Sequence, residues 1–149
     1  MAIVWREQMS VGNDVIDLDH KYLICLMNSV ELALKHEDTL ELLPVFTHQL
    51  VSYTEEHFAR EEDIQKKAQY PLAAEHKREH SELIAKLGNL TYIVDDFTDK
   101  KSKGELDLKE EEEMNQKILE LARQWILEHV IREDKRMEYY LRKLPRNFV

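Results

Sequence analysis

The sequence predicts an all-α protein, an antiparallel up-down-up-down four-helix bundle with an N-terminal arm. Three observations lead there. Four stretches carry apolar residues at alternating steps of three and four, the spacing of one helix face. No stretch sustains a period of two, as a half-buried strand would. The 149 residues include only three glycines and three prolines, too few for the many turns of a β fold. Short links between successive helices make neighbours antiparallel.

The first helix is carried by His20, Leu23, Met27, Val30 and Leu34. Asp17 or Asp19 is the candidate cap, because a short carboxylate accepts from the free N–H groups of a first turn. The residues before it show no helical pattern and read as an arm over about 1–17. The second helix spans about 40–67, with Phe46, Leu50, Tyr53, His57, Glu61 and Ile64 in register. Asp38 or Thr39 caps it, and Pro44 is tolerated near its start. Tyr70-Pro71 then breaks the chain, and Pro71 suits a first helical position. The third helix runs over about 72–96 on His76, His80, Leu83, Leu87, Leu90 and Val94. The segment 95–113 holds nine acidic and four basic residues, and reads as a solvated connection around Ser102 and Gly104. The fourth helix covers about 106–143, with Ile118, Leu121, Trp125 and His129 facing inward and Pro145 ending it.

A chain of this length is expected to form one domain over 1–149. Its 43% hydrophobic residues suffice for a core. A single cysteine excludes an internal disulfide and a cysteine-based zinc site. The longest stretch without a charged residue, Leu42 to Thr54, is too short for a membrane span, which needs about 20 residues. No basic region precedes an apolar stretch at the start, so no secretory signal is expected and the reading is cytoplasmic. The net charge of −9 repels nucleic-acid phosphates and anionic lipid.

Five of the seven histidines fall on, or at the start of, the apolar stripes: His20, His57, His76, His80 and His129. Each helix therefore aims at least one imidazole at the bundle interior. Buried imidazoles without partners are costly, since each carries a donor and an acceptor. A shared metal removes that cost, and bundle cores are where such sites are built. His57 and Glu61 stand one turn apart, as do His76 and His80. After His129 the acid is either Glu133 at i+4 or Asp134 at i+5. Ideal geometry favours Glu133, because i+5 lies about 140° round a regular helix. Asp134 reaches inward if the helix is locally distorted or if the metals sit between the two directions, and sequence geometry alone leaves the choice open. Five imidazoles with two carboxylates exceed the needs of one ion and suit two. A nitrogen-rich, sulfur-free set fits iron, zinc, copper or nickel. No histidine follows a glutamate by three residues, so the Glu-x-x-His pattern of carboxylate di-iron bundles is absent.

The stretches Asp17-Leu18-Asp19-His20-Lys21, His57-Phe58-Ala59-Arg60-Glu61, His76-Lys77-Arg78-Glu79-His80 and Trp125 to Asp134 together resemble the hemerythrins, in particular the single-domain bacterial ones. The resemblance covers about Trp5 to Tyr140. It implies a non-haem centre of two oxo- or hydroxo-bridged iron ions that binds dioxygen reversibly, for storage, delivery or sensing. By analogy His76, His80 and His129 hold one iron. His20 and His57 hold the other, which keeps an open position. Glu61 and Asp134 bridge them, so that the choice of Asp134 comes from the resemblance and not from geometry. Ile24, Phe58, Trp125 and Ile126 are candidates for a dry lining of the oxygen pocket. The alternatives are a di-iron enzyme acting on peroxide, nitric oxide or ferrous iron, and an iron-storage protein.

Two features depart from the resemblance. The segment 95–113 looks about a dozen residues longer than in familiar members, and either lengthens the flanking helices or presents an acidic loop to a redox or delivery partner. Asp19 stands where the family more often has glutamine. A surface role is expected for it, with adjustment of a hydrogen bond behind the ligands as the alternative. His36 and His48 have no counterpart and are given ordinary roles. Cys25 is expected to be a small buried apolar residue.

Overall fold

The computed structural model describes residues 2–149, and among these no strand forms. Four helices make the bundle: α1 (Asp14–Lys35), α2 (Leu43–Lys67), α3 (Ala73–Ser102) and α4 (Leu108–Trp125). The α4 helix runs on through a π-helical stretch (Ile126–Glu133), a 3-10 turn (Asp134–Met137) and the short α5 (Glu138–Leu141). Successive helices pack side by side and α4 returns to α1, which closes the bundle.

The arm ends earlier than its composition suggests. α1 begins at Asp14, and its cap is Asn13, whose side chain accepts from the N–H groups of Val15 and Ile16 at 3.1 Å. Neither Asp17 nor Asp19 serves. Gly12, at φ +80°, makes the turn into the helix, and a Cβ there would stand 2.9 Å from Arg142 Cγ. Asp17 instead accepts from the Ser10 hydroxyl and the Val11 N–H, tying the arm to α1. Farther out, Ile3 exchanges two hydrogen bonds with the Asn28 side chain. Cys25 is exposed, contrary to expectation, because it sits one step off the inward stripe.

Residues 37–42 form a 3-10 turn before α2 proper begins, with Pro44 in its first turn. Neither Asp38 nor Thr39 caps α2. Pro71 lies in the link before α3, which starts at Ala73. α2 ends in a pair of reverse bonds, Tyr70 N–H to Gln65 O and Gln69 N–H to Lys66 O. This closure needs a left-handed residue, and Gln69 supplies it at φ 54°. An L side chain costs roughly 1–2 kcal/mol in that region. The Gln69 side chain is exposed. Gln69→Gly is therefore expected to stabilise the fold by about 1 kcal/mol, read as a rise of about 2–4 °C in unfolding temperature.

Most of the charged segment 95–113 is helix. α3 continues to Ser102, closed by Gly104 at φ +67°, and α4 starts from Asp107. Asp107 accepts from the N–H groups of Lys109 and Glu110, while Glu110 accepts from the Asp107 N–H, a reciprocal cap. Only residues 103–107 connect the helices. The charges suit an exposed helical surface, as the one-turn pairs Asp96–Lys100 and Asp99–Lys103 show, both at 2.9 Å. Phe97, fully buried, carries the inward stripe of α3 past the point where the charges begin.

Two apolar clusters fill the bundle. The larger joins Leu23, Met27, Leu50, Leu87, Val94, Ile118 and Ile126. The smaller joins Val11, Ile16, Ile64, Tyr70, Met137 and Leu141 near the arm. Between the two clusters lies a layer of buried polar side chains, which includes His20, His57, Glu61, His76, His80, His129 and Asp134. Among the described residues no helix is long and apolar enough to cross a membrane.

Candidate metal centre

The polar layer is built from four helices. α1 supplies His20, α2 supplies His57 and Glu61, α3 supplies His76 and His80, and the π-helical continuation of α4 supplies His129, with Asp134 directly after it. The π-helical stretch turns Asp134, and not Glu133, toward the bundle interior. Hydrogen bonding there runs from i to i+5, so five residues replace four in the turn and Asp134 comes round to the side of His129. Asp134 is fully buried and Glu133 is not. Glu133 pairs outward with Arg136 at 3.1 Å.

All seven side chains meet. They form two groups that share Glu61 and Asp134: Glu61, His76, His80, His129 and Asp134, and His20, His57, Glu61 and Asp134. Within each group the ligating atoms lie within 4.8 Å of one another. The two carboxylates divide their oxygens between the groups. Glu61 Oε1 lies 2.9 Å from His76 Nε2 and 3.3 Å from His80 Nε2. Asp134 Oδ1 lies 2.9 Å from His76 Nε2 and 3.1 Å from His129 Nε2. The opposite oxygens face the other pair. Glu61 Oε2 is 3.3 Å from His57 Nε2 and 3.8 Å from His20 Nε2, and Asp134 Oδ2 is 3.0 Å from His20 Nε2. One group therefore offers three imidazoles and two carboxylate oxygens, the other two of each.

Most of the donor atoms point inward without making hydrogen bonds. The Nε2 atoms of His20, His57, His80 and His129, with Glu61 Oε2 and Asp134 Oδ2, are buried and lack a partner of proper geometry. Natural proteins rarely leave so many buried polar atoms unpaired in one place. Paired cations would satisfy all of them, and five nitrogens with two carboxylates and no sulfur are a donor set that iron accepts.

The electrostatics agree. Burial opposes charge on His20 and His76, yet the close carboxylates of Asp134 and Glu61 outweigh it, raising His20 to about 9 and His76 to about 10. Burial likewise opposes the charges of Glu61 and Asp134, and the surrounding imidazoles hold both well below the usual carboxylate range. Two buried anions thus demand positive charge, from protons or from metal. His20 and His76 have raised values in the fold, so their contribution is complete below about 6.5, the unfolded value, and is lost as pH rises through about 9 and 10. Metal-free protein is expected to lose thermal stability between pH 7 and pH 10, and metal-loaded protein to lose much less. Calorimetric melts of both forms across that range check this.

The candidate lining residues are all buried in the larger apolar cluster. Phe58 stacks on His80, with ring centres 3.7 Å apart and planes within 5°. Trp125 lies 5.5 Å from His129. Ile24 is one turn from His20, and Ile126 is fully buried. His36 is exposed, and His48 is an exposed partner of Asp95. Asp19 is not on the surface. It is buried behind His57 with Tyr53 and Arg60, and Glu62 stands behind His80 Nδ1 at 2.9 Å. The signal for the first group is legible in retrospect: Tyr53, His57 and Arg60 share one face of α2 at steps of four and three. Burial opposes ionisation of Asp19, but hydrogen bonds from His57, Arg60 and Tyr53 hold its carboxyl far below the usual range.

Comparison with known proteins points the same way. Residues 11–141 match the Hemerythrin HHE cation binding domain. The chain is 26% identical over 133 residues to a bacteriohemerythrin of Stenotrophomonas maltophilia, covering 89% of this chain and 77% of that one. It is 30% identical over 135 residues to a bacteriohemerythrin of Clostridium acetobutylicum, covering 89% and 95%. It is 27% identical over 128 residues to a myohemerythrin of Riftia pachyptila, covering 85% and 83%. With the domain matched over most of its length and a buried histidine–carboxylate cluster at its centre, the chain belongs to the hemerythrin family.

Proposed function

We propose that the chain binds dioxygen reversibly at a non-haem centre of two iron ions, for storage or delivery, with His20, His57, Glu61, His76, His80, His129 and Asp134 as the ligands. The observation that carries this reading is the division of Glu61 and Asp134, each with one oxygen toward three imidazoles and the other toward two. A pair of ferrous ions supplies the two electrons that reversible dioxygen binding requires.

The chain's own residues set the terms. The three-imidazole group is the fuller one. The group of His20 and His57 is poorer by one donor, so an ion held there would keep a coordination position for a small ligand. Glu61 and Asp134 are fully buried between the groups and belong to both. Ile24, Phe58, Trp125 and Ile126 pack the larger cluster beside this layer and exclude water. A dry surround disfavours escape of charged, reduced oxygen species. Proton supply is restricted as well. The hydroxyl of Thr54, one turn from His57 and Phe58, donates to Leu50 O at 2.7 Å. Tyr70 stands beside His76, on the fuller side, with ring centres 6.4 Å apart. Scarce protons and excluded water favour release of the ligand over its further reduction.

The test is optical. Iron-loaded, reduced protein is mixed with oxygenated buffer and then flushed with argon. The proposal expects a visible band that appears with oxygen, disappears under argon and returns on a second cycle. Irreversible conversion to the ferric form in the first cycle would overturn it in favour of enzymatic turnover. Many irons per chain would instead indicate storage.

A further inference from the structure

Directly behind His57, on the side away from Glu61, sits a polar cluster that the ligand set does not use. Asp19 on α1 is 4% exposed, yet its two oxygens meet four donors. Oδ1 accepts from the Tyr53 hydroxyl at 2.6 Å and from Arg60 Nη2 at 2.9 Å. Oδ2 accepts from Arg60 Nε at 2.9 Å and from His57 Nδ1 at 3.2 Å. The guanidinium fork fixes the plane of the carboxylate. Arg60 also lies 5.2 Å from the centre of the Tyr53 ring, and that ring packs at 4.4 Å on Tyr22. The carboxylate is therefore held from three directions.

This has a consequence for His57. An ionised carboxylate only accepts, so the proton of the neutral imidazole resides on Nδ1, and Nε2 turns its lone pair toward Glu61 Oε2 at 3.3 Å. The other imidazole of the same group has no such backing, because His20 Nδ1 is buried without a partner. In the fuller group His80 Nδ1 faces Glu62, but Glu62 is partly exposed and shared with Lys77 at 3.4 Å. Asp19 is thus the one fully enclosed carboxylate seen behind a ligand imidazole among the described residues.

We infer that Asp19 is the positioning residue of the two-imidazole group, fixing the ring and tautomer of His57 and strengthening it as a donor, with Arg60 and Tyr53 holding Asp19 in place. The inference rests on the dinuclear reading above. The group with fewer imidazoles thereby has one of its two rings held in a fixed orientation. A negative charge hydrogen-bonded behind an imidazole raises its donor strength, and loss of such a partner costs roughly 10–100-fold in metal affinity. Asp19→Asn keeps the size and an acceptor but removes the charge. Asp19→Leu removes both.

The experiment titrates metal-free protein with cobalt(II) in the absence of oxygen, reading binding from cobalt absorption and from equilibrium dialysis. Wild type is expected to take up two cobalt ions per chain. In Asp19→Asn one of the two affinities falls by about 10–100-fold and the other is unchanged. Asp19→Leu weakens the same step further. The fully loaded wild type shows a paramagnetically shifted exchangeable proton from His57 Nδ1 in its NMR spectrum, and Asp19→Leu lacks it. Equal weakening of both steps together with a lowered unfolding temperature would reveal a merely structural role and overturn the inference, as would two unchanged affinities in Asp19→Asn. Uptake of fewer than two ions by wild type would sink the dinuclear reading itself, and the inference with it.

Discussion

Asp134→Ala is expected to empty the centre of metal, whereas Glu133→Ala leaves it loaded. The contrast follows from one local irregularity. In a regular helix Glu133 would lie one turn beyond His129 and Asp134 would point well to the side. The π-helical stretch Ile126–Glu133 inserts the extra residue and brings Asp134 inward, to 3.1 Å from His129 Nε2 and 3.0 Å from His20 Nε2. Because its two oxygens serve both groups, its removal takes a donor from each. The loss of affinity should exceed the roughly 100-fold that removal of an outer hydrogen-bond partner reaches. Glu133 pairs with Arg136 at the surface, and an exposed pair of this kind contributes under about 1 kcal/mol. Metal analysis after reconstitution, with circular dichroism to verify the fold, separates the two variants. Equal loss of metal in both would show that the acid has been misassigned.

Removing the metal is expected to lower the unfolding temperature by about 10 °C at neutral pH. Glu61 and Asp134 are fully buried anions, and the centre holds six buried atoms without hydrogen-bond partners. Ions that bind only the folded chain stabilise it by mass action, about 4 kcal/mol at a thousandfold excess over the dissociation constant. For a chain of this size each kcal/mol moves the transition by about 2–4 °C. Chelator-treated and reloaded samples, melted side by side, give the difference. The metal-free form should still fold, because protons on His20 and His76 partly replace the ions and two apolar clusters flank the layer. A difference near zero would mean that the cluster does not hold metal in the folded state.

Much of this was legible in the sequence. The three-four stripes placed all four helices, because burying one face of a helix leaves its period in the chain. The same stripes carried His20, His57, His76, His80 and His129, so their convergence followed from packing alone. The inward turn of Asp134 was expected only through family resemblance, since nothing in Ile131-Arg132-Glu133-Asp134-Lys135 announces a π turn. In the segment 95–113 the turn near Ser102 and Gly104 and the lengthened flanking helices were among the readings, but the solvated connection was preferred because its charges hid a buried Phe97 and a reciprocal cap, Asp107 with Glu110. Asp19 was misjudged because its environment is not local. Its donors Tyr53, His57 and Arg60 lie more than thirty residues away on α2. Single residues show propensity and period, but a buried charge is explained only by partners that the fold assembles.

The central claim is that seven side chains from four helical segments hold a pair of iron ions. A crystal structure of iron-loaded protein, with anomalous data collected at the iron edge, tests it most directly. Two peaks are expected, one among His76, His80 and His129 and one beside His20 and His57, with Glu61 and Asp134 touching both. A single peak, or peaks elsewhere on the chain, would contradict it.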